Sequence, residues 1–364
     1  MGRRPYGGAG NCASNHGAPA PAKSPHNPSS PANGIPRYVV GMPFARLATA
    51  TTPTCHIGLG LAAVGRPGYI NLGRDEDLGD NRSAEALRTR THELLDAAYF
   101  QGVRYFDAAR SYGRSEEFLA DWLNARPDID DVVIGSKWGY TYTAAWSTDT
   151  EKHEVKDHSL DTYERQRRET AALLGDHLDL YQIHSVTPDS PALTDKELHG
   201  RLAEAAADGI SIGFSTSGPA QADAIRAALE VTVDGERLFR TVQSTYNALE
   251  TSAAPALAEA HDAGLTVIVK EGMANGRLAD PYAPDALKAV AAETSLGCDA
   301  VALALVLRQP WAGVVLSGAA TTNQLASNLH AAVVDLDEDQ LARLAELAEE
   351  PRAYWEKRGS LPWH

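Results

Sequence analysis

A carboxylate and a phenol lie close together in the stretch that runs from Tyr105 to Gly113. The apolar residues 103–106 predict a buried parallel strand, and Asp107 stands where that strand ends. Tyr112 follows in a loop closed by Gly113. In α/β barrels, side chains at the carboxyl ends of the strands form the catalytic face. The same pattern also suits an aspartate that caps a turn beneath a packed tyrosine, so further residues must decide between the two interpretations.

Lys137 and His184 end the next two apolar strands along the chain. These strands are neighbours in a barrel, so we expect their polar ends to converge with Asp107 and Tyr112. Taken singly, Lys137 also suits a surface lysine, and His184 suits a hydrogen-bonded histidine at a barrel mouth. Four such residues on one face favour a catalytic centre.

The four residue types together suit proton donation to a carbonyl oxygen while a hydride adds to the carbon. A tyrosine has an unperturbed pKa of about 10, which is too high for easy proton donation at neutral pH. A nearby ammonium group lowers that pKa. We therefore expect Asp107 to hold Lys137 beside Tyr112. We expect His184 to hydrogen-bond the substrate oxygen.

Strands and helices alternate from Arg46 to Glu349, and this alternation must position the four residues. Ser115 has the chemistry to cap a helix over 116–124. The intervening helices imply parallel strands, and eight such units over about 300 residues favour a TIM (β/α)8 barrel. A doubly wound open sheet is the alternative, but it would want a glycine-rich phosphate loop, and Gly58-Leu59-Gly60 is only a fragment of one. The predicted strands begin at Gly58, Val103, Val132, Leu178, Ile210, Thr241, Thr266 and Gly313.

The composition argues against several classes of protein. The chain has 364 residues and a net charge of −15, whereas nucleic-acid-binding proteins normally present a basic surface. No apolar run reaches the length of a membrane span. The three cysteines are too few and too scattered for a disulfide framework or a zinc site, and they fit a reducing, cytoplasmic location. Residues 1–40 are rich in Pro, Gly, Ser, Asn and Ala and predict a disordered tail, which leaves residues 41–364 for the barrel.

Several motifs, in this order, resemble those of the aldo-keto reductase superfamily. The resemblance covers about Arg46 to Glu349 and implies a TIM barrel and NAD(P)H-dependent reduction of a carbonyl compound, or the reverse oxidation of an alcohol. It also implies that Asp107, Tyr112, Lys137 and His184 form the family's catalytic tetrad. The matching stretches are Phe106-Asp107-Ala108-Ala109, Tyr112-Gly113, Gly135-Ser136-Lys137, residues 179–184, Ile212-Gly213-Phe214-Ser215 and residues 242–247.

The same resemblance implies a set of cofactor-binding residues. Ser215 and Gln243 match the residues that hold the nicotinamide carboxamide, and Lys270 stands where many members place an aromatic ring that stacks on the nicotinamide. Residues 317–328 resemble the segment that binds the adenosine phosphate, and they contain Gly318, Gln324 and Asn328. Many reductases carry an arginine at the position of Gln324, and that bidentate clamp for a 2′-phosphate is absent here. NADPH is the expected cofactor by family default, and NADH stays open.

Other features leave alternatives open. Trp138 and Tyr140 follow the third strand and either form a wall of the substrate pocket or pack a long loop onto the barrel rim. His153 and His158 lie in a charged loop, where solvated side chains are expected rather than a metal site. The expected substrate is a small carbonyl or sugar-like molecule, and the sequence does not predict the oligomeric state. A cofactor-binding regulatory subunit, resembling the potassium-channel β-subunits of the superfamily, is the rival function, and Gln324 and Asn328 favour it.

Overall fold

The computed structural model describes residues 44, 47 and 52–363, so the predicted tail lies outside the described residues. Eight parallel strands close into a barrel, which confirms the predicted fold over the open sheet. The strands are β1 (Ile57–Gly60), β2 (Tyr105–Asp107), β3 (Val133–Trp138), β4 (Leu180–Val186), β5 (Ser211–Thr216), β6 (Thr241–Thr245), β7 (Thr266–Lys270) and β8 (Val314–Ser317).

Each strand pairs with its neighbour in the chain, and β1 closes the barrel by pairing with β8. The register sets Gly60 opposite Asp107, and Asp107 opposite Gly135. Lys137 lies opposite Gln182 on β4. The polar residues near the carboxyl ends of these strands therefore reach the same end of the barrel.

Helices cover the outside of the barrel, as the sequence predicts, but the three helices over residues 74–78, 285–294 and 351–359 were not predicted. Among residues 52–363, no single helix is long and apolar enough to cross a membrane; the helices over 285–294 and 298–307 meet those criteria only as a pair bent by 90°. The helices are α1 (Arg74–Leu78), α2 (Ala84–Phe100), α3 (Ser115–Asn124), α4 (Leu160–Leu174), α5 (Lys196–Ala207), α6 (Gln221–Leu229), α7 (Ala254–Asp262), α8 (Asp285–Thr294), α9 (Cys298–Leu307), α10 (Thr322–Leu329), α11 (Glu338–Ala345) and α12 (Pro351–Gly359).

The start of α3 differs from the sequence-based prediction. Ser115 is the first helical residue rather than the cap, because Arg114 occupies the N-cap position. The Ser115 hydroxyl instead donates a hydrogen bond to the carbonyl oxygen of Ala109, at 3.2 Å. The predicted Ser115 cap is therefore wrong, and the hydroxyl ties the helix to the loop that carries Tyr112.

The barrel interior has an apolar layer below a polar one. Because side chains alternate along a strand, Tyr105 and Asp107 both point inward from β2. Gly135 leaves space for the Tyr105 hydroxyl, because a Cβ atom at position 135 would clash with it. The apolar layer is a separate buried cluster of Phe44, Leu47, Tyr105, Val133, Leu180, Ile268, Val314 and Leu316.

A buried ion pair anchors α12 to the end of β7. Arg358 donates from Nη2 to Glu271 Oε1 at 2.5 Å and from Nε to Oε2 at 3.0 Å. The Glu271 side chain is only 7% exposed. Burial raises the pKa of Glu271, but the charges of Arg358 and Lys270 outweigh burial and lower that pKa to about 2. The C-terminal helix is therefore held beside the residues that follow β7.

Replacing Arg358 with methionine should destabilise the protein, because Glu271 would keep its burial and lose its main partner. We expect the free energy of unfolding in urea to fall by about 3 kcal/mol. Arg352→Met, on an exposed position of the same helix, is the matched control and should change it by less than about 0.5 kcal/mol. Equal losses in the two variants would show that the ion pair does not anchor the helix.

Candidate active site

The ends of β2 and β3 bring a lysine, a carboxylate and a phenol into contact. Lys137 Nζ donates to Asp107 Oδ2 in a buried ion pair. The same ammonium group lies 3.3 Å from Tyr112 Oη and 3.0 Å from the carbonyl oxygen of Ala108. Lys137 is fully buried, so these three oxygen atoms fix the orientation of its ammonium group.

Asp107 is held by two further donors. The Tyr105 hydroxyl donates to Asp107 Oδ1 at 2.9 Å, and Gln243 Nε2 donates to the same oxygen from across the barrel at 3.0 Å. Burial, followed by the nearby Asp107 charge, raises the pKa of Tyr105 well above its ordinary value, so its hydroxyl keeps the proton that it donates. Both carboxylate oxygens thus have partners, as a buried charge requires.

His184, near the end of β4, faces Tyr112. Its Nε2 lies 3.5 Å from Tyr112 Oη, and its Nδ1 lies 3.5 Å from Ser111 Oγ. Distances of 3.5 Å are long for hydrogen bonds. A substrate oxygen that approaches both the phenol and the imidazole could form shorter bonds to each.

Burial shifts the pKa values of both His184 and Tyr112. For Tyr112 the shift is opposite to the sequence-based prediction. Burial and then the charge of Lys137 lower the pKa of His184 well below its ordinary value, so the imidazole is neutral. Burial and then the charge of Asp107 raise the pKa of Tyr112, so the phenol keeps its proton at neutral pH. Burial and the Asp107 charge thus outweigh the lowering that was expected from the Lys137 ammonium group.

A cleft that is partly open to solvent leads away from this cluster. Asp107, Tyr112 and Gln243 line one end. Gln324 and Asn328 on α10 line the other. Residues from the segments 69–77 and 270–276 also line the cleft.

The predicted cofactor residues divide between the cleft and the barrel wall. Ser215 does not line the cleft. It is buried at the end of β5, and its Oγ accepts a hydrogen bond from the Ser185 amide at 2.8 Å. Five of the six line the cleft, namely Gln243, Lys270, Gly318, Gln324 and Asn328.

At the far end of the cleft, Gln324 joins two segments. Its Nε2 donates to Asp77 Oδ1 at 2.6 Å, and its Oε1 accepts from the amide of Ala320 at 2.9 Å. The Asn328 amide contacts Ser317 Oγ at 2.8 Å. A carboxylate therefore stands beside the residue that replaces the usual arginine.

Lys270, at the end of β7, introduces a second ammonium group to the catalytic end. It donates to Thr245 Oγ1 at 2.7 Å and lies 3.6 Å from Glu271. Burial lowers its pKa to about 8, although Glu271 opposes the shift. Lys270 therefore presents an ammonium group to the cleft rather than the face of an aromatic ring.

The two predicted substrate residues differ in position. Trp138 is fully buried and packs on His158 and Tyr163, with ring centroids 6.0 and 5.1 Å away, so it does not line the cleft. The reason is strand alternation, since Lys137 points inward and Trp138 must point outward. Tyr140 packs edge-on against the His184 ring at 5.1 Å and therefore lies at the catalytic end.

The sequence-based prediction missed a group at the mouth of this site. The Arg66 guanidinium lies over the rings of Tyr69, Tyr112 and Trp363, at 5.1, 5.4 and 4.9 Å from the ring centroids. It also donates to Glu154 at 2.9 Å. The turn-rich composition of residues 65–69 indicated a loop there, but no sequence period indicated what that loop contacts.

The two histidines of the charged loop have separate structural roles. The His153 ring stacks on Trp363 at 4.3 Å. His158 is buried; its Nε2 lies 2.7 Å from the carbonyl oxygen of His184 and its Nδ1 lies 2.6 Å from Ser190 Oγ. His158 thus supports the backbone that carries His184. Among residues 52–363, no group of three or more His, Cys, Asp or Glu side chains could hold a metal ion.

Comparison with known proteins identifies the family. The model of the Aldo/keto reductase family matches residues 56–349. The chain belongs to this family. Aldo-keto reductases are oxidoreductases that act on small-molecule carbonyl compounds with nicotinamide cofactors.

Individual aldo-keto reductases and related proteins are distant in sequence. Aldo-keto reductase str7 of Strobilurus tenacellus is 24% identical, over 80% of this chain and 87% of its own length. Protein tas of Escherichia coli is 27% identical, over 70% of this chain and 87% of its own. The holo form of aldo-keto reductase AKR11C1 from Bacillus halodurans superposes with a TM-score of 0.61 at 20% identity, over 81% of this chain and 92% of its own. The structural likeness shows the fold.

The cleft fits the nicotinamide dinucleotide that the family uses. Its lining includes Tyr112 as well as Gln324 and Asn328 on α10, so one bound molecule can contact both regions. Arg74, which lines the cleft, has buried guanidinium nitrogens with no hydrogen-bond partner among residues 52–363, as expected for a site that receives an anion.

The neutral state of His158 makes stability depend on pH. Burial lowers its pKa to about 4, below the value of about 6.5 in an unfolded chain. The unfolded state therefore takes up the proton first, and His158 should cost stability as the pH falls from about 6.5 to 4, by an amount on the order of 3 kcal/mol. Urea unfolding at pH 7 and pH 5 should show a smaller loss in His158→Asn than in the wild type. The same loss in both would contradict the assignment to His158.

Proposed function

We propose that the protein is an NAD(P)H-dependent oxidoreductase that reduces an aldehyde or ketone to an alcohol, or catalyses the reverse reaction, with Tyr112 as the proton donor. The observation that carries this proposal is the position of Lys137 Nζ between Asp107 and Tyr112 Oη, with His184 facing the same hydroxyl, beside a cleft that Tyr112, Gln324 and Asn328 all line. Members of the family supply the general reaction.

Each side chain has a definite task in this proposal. The cofactor, when bound, supplies the hydride. Tyr112 holds a proton at Oη and donates it to the substrate oxygen, and neutral His184 orients that oxygen through Nε2. Lys137 lies beside Oη and stabilises the negative charge that develops there as the proton leaves. Asp107 fixes Lys137, while Tyr105 and Gln243 fix Asp107.

The substrate class follows from the family and from the mouth of the site. We propose a small carbonyl or sugar-like compound, with Tyr140 as one wall of its pocket. The rival function, a regulatory subunit that binds the cofactor with little turnover, requires no proton donor, and the relatives named above do not favour it. NADPH is our first choice of cofactor by family default, with NADH as the alternative.

A panel of aldehydes and ketones tests the function. Nicotinamide absorbance would be followed with NADPH and with NADH, and substrate-dependent loss of absorbance with at least one carbonyl supports an oxidoreductase. Tight binding of cofactor without turnover on any member of the panel would favour the regulatory subunit instead.

Replacing Tyr112 with phenylalanine should remove the proton donor while the ring and its packing remain. We expect single-turnover oxidation of bound NAD(P)H by a reactive aldehyde to slow by about 10²-fold or more, with cofactor affinity nearly unchanged. Lys137→Met should do similar damage and should also change the pH profile of the residual rate.

Tyr163→Phe is the matched control for this experiment. Tyr163 is a buried tyrosine that packs on Trp138 outside the cleft, so its loss should leave the single-turnover rate near that of the wild type. Equal rates for Tyr112→Phe and wild type would remove Tyr112 as the acid and favour the regulatory function.

Replacing Gln324 with arginine should shift cofactor preference towards NADPH, because an arginine can bind a 2′-phosphate through two hydrogen bonds. Asp77 stands beside Gln324 and would pair with the new arginine, so the larger shift is expected when Asp77→Asn is combined with it. The measurement is the ratio of dissociation constants for NADPH and NADH. An unchanged ratio in the double variant would place the ribose elsewhere.

A further inference from the structure

Arg74 is a buried cation with two guanidinium nitrogens that residues 52–363 leave unsatisfied. Its side chain is 1% exposed, and it lines the cleft. Nε and Nη1 are buried without a hydrogen bond to any of residues 52–363. The nearest carboxylate, that of Asp77, lies 4.0 Å from Nη1, which is beyond hydrogen-bonding distance.

An arginine in this state is costly, because burying a charge without hydrogen bonds loses the solvation that water would provide. Burial lowers the pKa of Arg74 to about 10, although Asp77 and Tyr69 oppose the shift, and the positive charges of Arg82 and Arg90 lower it further. The guanidinium still carries its charge at neutral pH. Its hydrogen bonds are therefore available to an anion that enters the cleft.

Arg74 lies between the two ends of the cleft. On one side, Arg74 interacts electrostatically with Tyr69. The Arg66 guanidinium lies over the rings of both Tyr69 and Tyr112. On the other side, Arg74 faces Asp77, whose carboxylate accepts a hydrogen bond from Gln324. A dinucleotide with its reactive ring at Tyr112 and its adenosine at Gln324 would bring its diphosphate to this intermediate position.

We propose that Arg74 binds the diphosphate group of the nicotinamide dinucleotide. The assignment rests on the proposed function, and it places the cation on α1, away from the segment after β8 that the sequence indicated for phosphate binding. A 2′-phosphate on the adenosine ribose is the other phosphate that the cleft could receive. We choose the diphosphate because both NAD⁺ and NADP⁺ carry it, whereas the position where many reductases hold the 2′-phosphate with an arginine is the neutral Gln324 here.

The loop before Arg74 is fixed in place before any ligand binds. Asn275 Nδ2 donates to the carbonyl oxygen of Ile70 at 2.8 Å, and the Leu72 amide donates to the carbonyl oxygen of Asn275 at 3.0 Å. The segment 70–73 is thereby tied to the loop after β7 on the other side of the cleft. A cation on such a support loses little freedom when it binds a phosphate.

The test is a titration of the full-length chain with NAD⁺, NADP⁺ and adenosine, followed by calorimetry. Arg74→Met should weaken the binding of NAD⁺ and NADP⁺ by the same factor, about tenfold to a hundredfold, and should leave the affinity for adenosine unchanged. Arg74→Lys keeps the charge without the planar fork and should recover part of the loss. Arg88→Met is the control for charge, because Arg88 pairs with surface carboxylates and does not line the cleft.

The outcomes separate this assignment from the proposed function. Wild-type affinity for both dinucleotides in Arg74→Met overturns the assignment alone, and so does a loss confined to NADP⁺, which would place the guanidinium at the 2′-phosphate. A loss of adenosine affinity equal to that for the dinucleotides would mean that the cleft itself was disturbed, and it also overturns the assignment. Failure of the wild-type chain to bind either dinucleotide overturns the proposed function and this assignment together.

Discussion

The active site depends on one buried interaction, the ion pair between Lys137 and Asp107. Two opposite charges inside a barrel are stable only when every remaining lone pair and proton has a partner. Tyr105, Gln243 and the Ala108 carbonyl oxygen complete that set. The ion pair is thus held rigidly. Tyr112 lies beside Lys137, and His184 faces Tyr112. This construction explains why a strongly polar group can occupy the upper layer of an apolar barrel.

Much of the fold and part of the site could be predicted, because the ends of the strands can be recognised in the sequence. Apolar runs that stop at Asp107, Lys137 and His184 mark the carboxyl ends of parallel strands, and barrel closure then brings the three together. Trp138 shows the limit of this reasoning, because its orientation depends on whether β3 continues one residue past Lys137. Gln243 reaches Asp107 only through the closed barrel, which no local pattern reveals.

The cleft residues were harder to predict for a physical reason. Arg66 lies on an irregular loop after β1, and Arg74 begins the short helix α1 that follows. In neither segment does a sustained 2.0 or 3.6 period indicate the direction of a side chain. Their roles arise from tertiary contacts, namely aromatic rings around Arg66 and an unfilled hydrogen-bonding capacity at Arg74. The family resemblance pointed instead to the segment after β8, where Gln324 pairs with Asp77. The cation that we propose for anion binding, Arg74, instead lies on α1, close to Asp77.

The most direct test of the central claim, that this cluster delivers a proton to a substrate receiving a hydride, is an isotope experiment. Single-turnover oxidation of NADPH, unlabelled or deuterated at nicotinamide C4, would be followed with a reactive aldehyde in H₂O and in D₂O. We predict that the wild type slows with the deuterated cofactor and slows again in D₂O, and that Tyr112→Phe loses the solvent effect. A wild-type solvent effect that persists unchanged in Tyr112→Phe would contradict the role of Tyr112 as the proton donor.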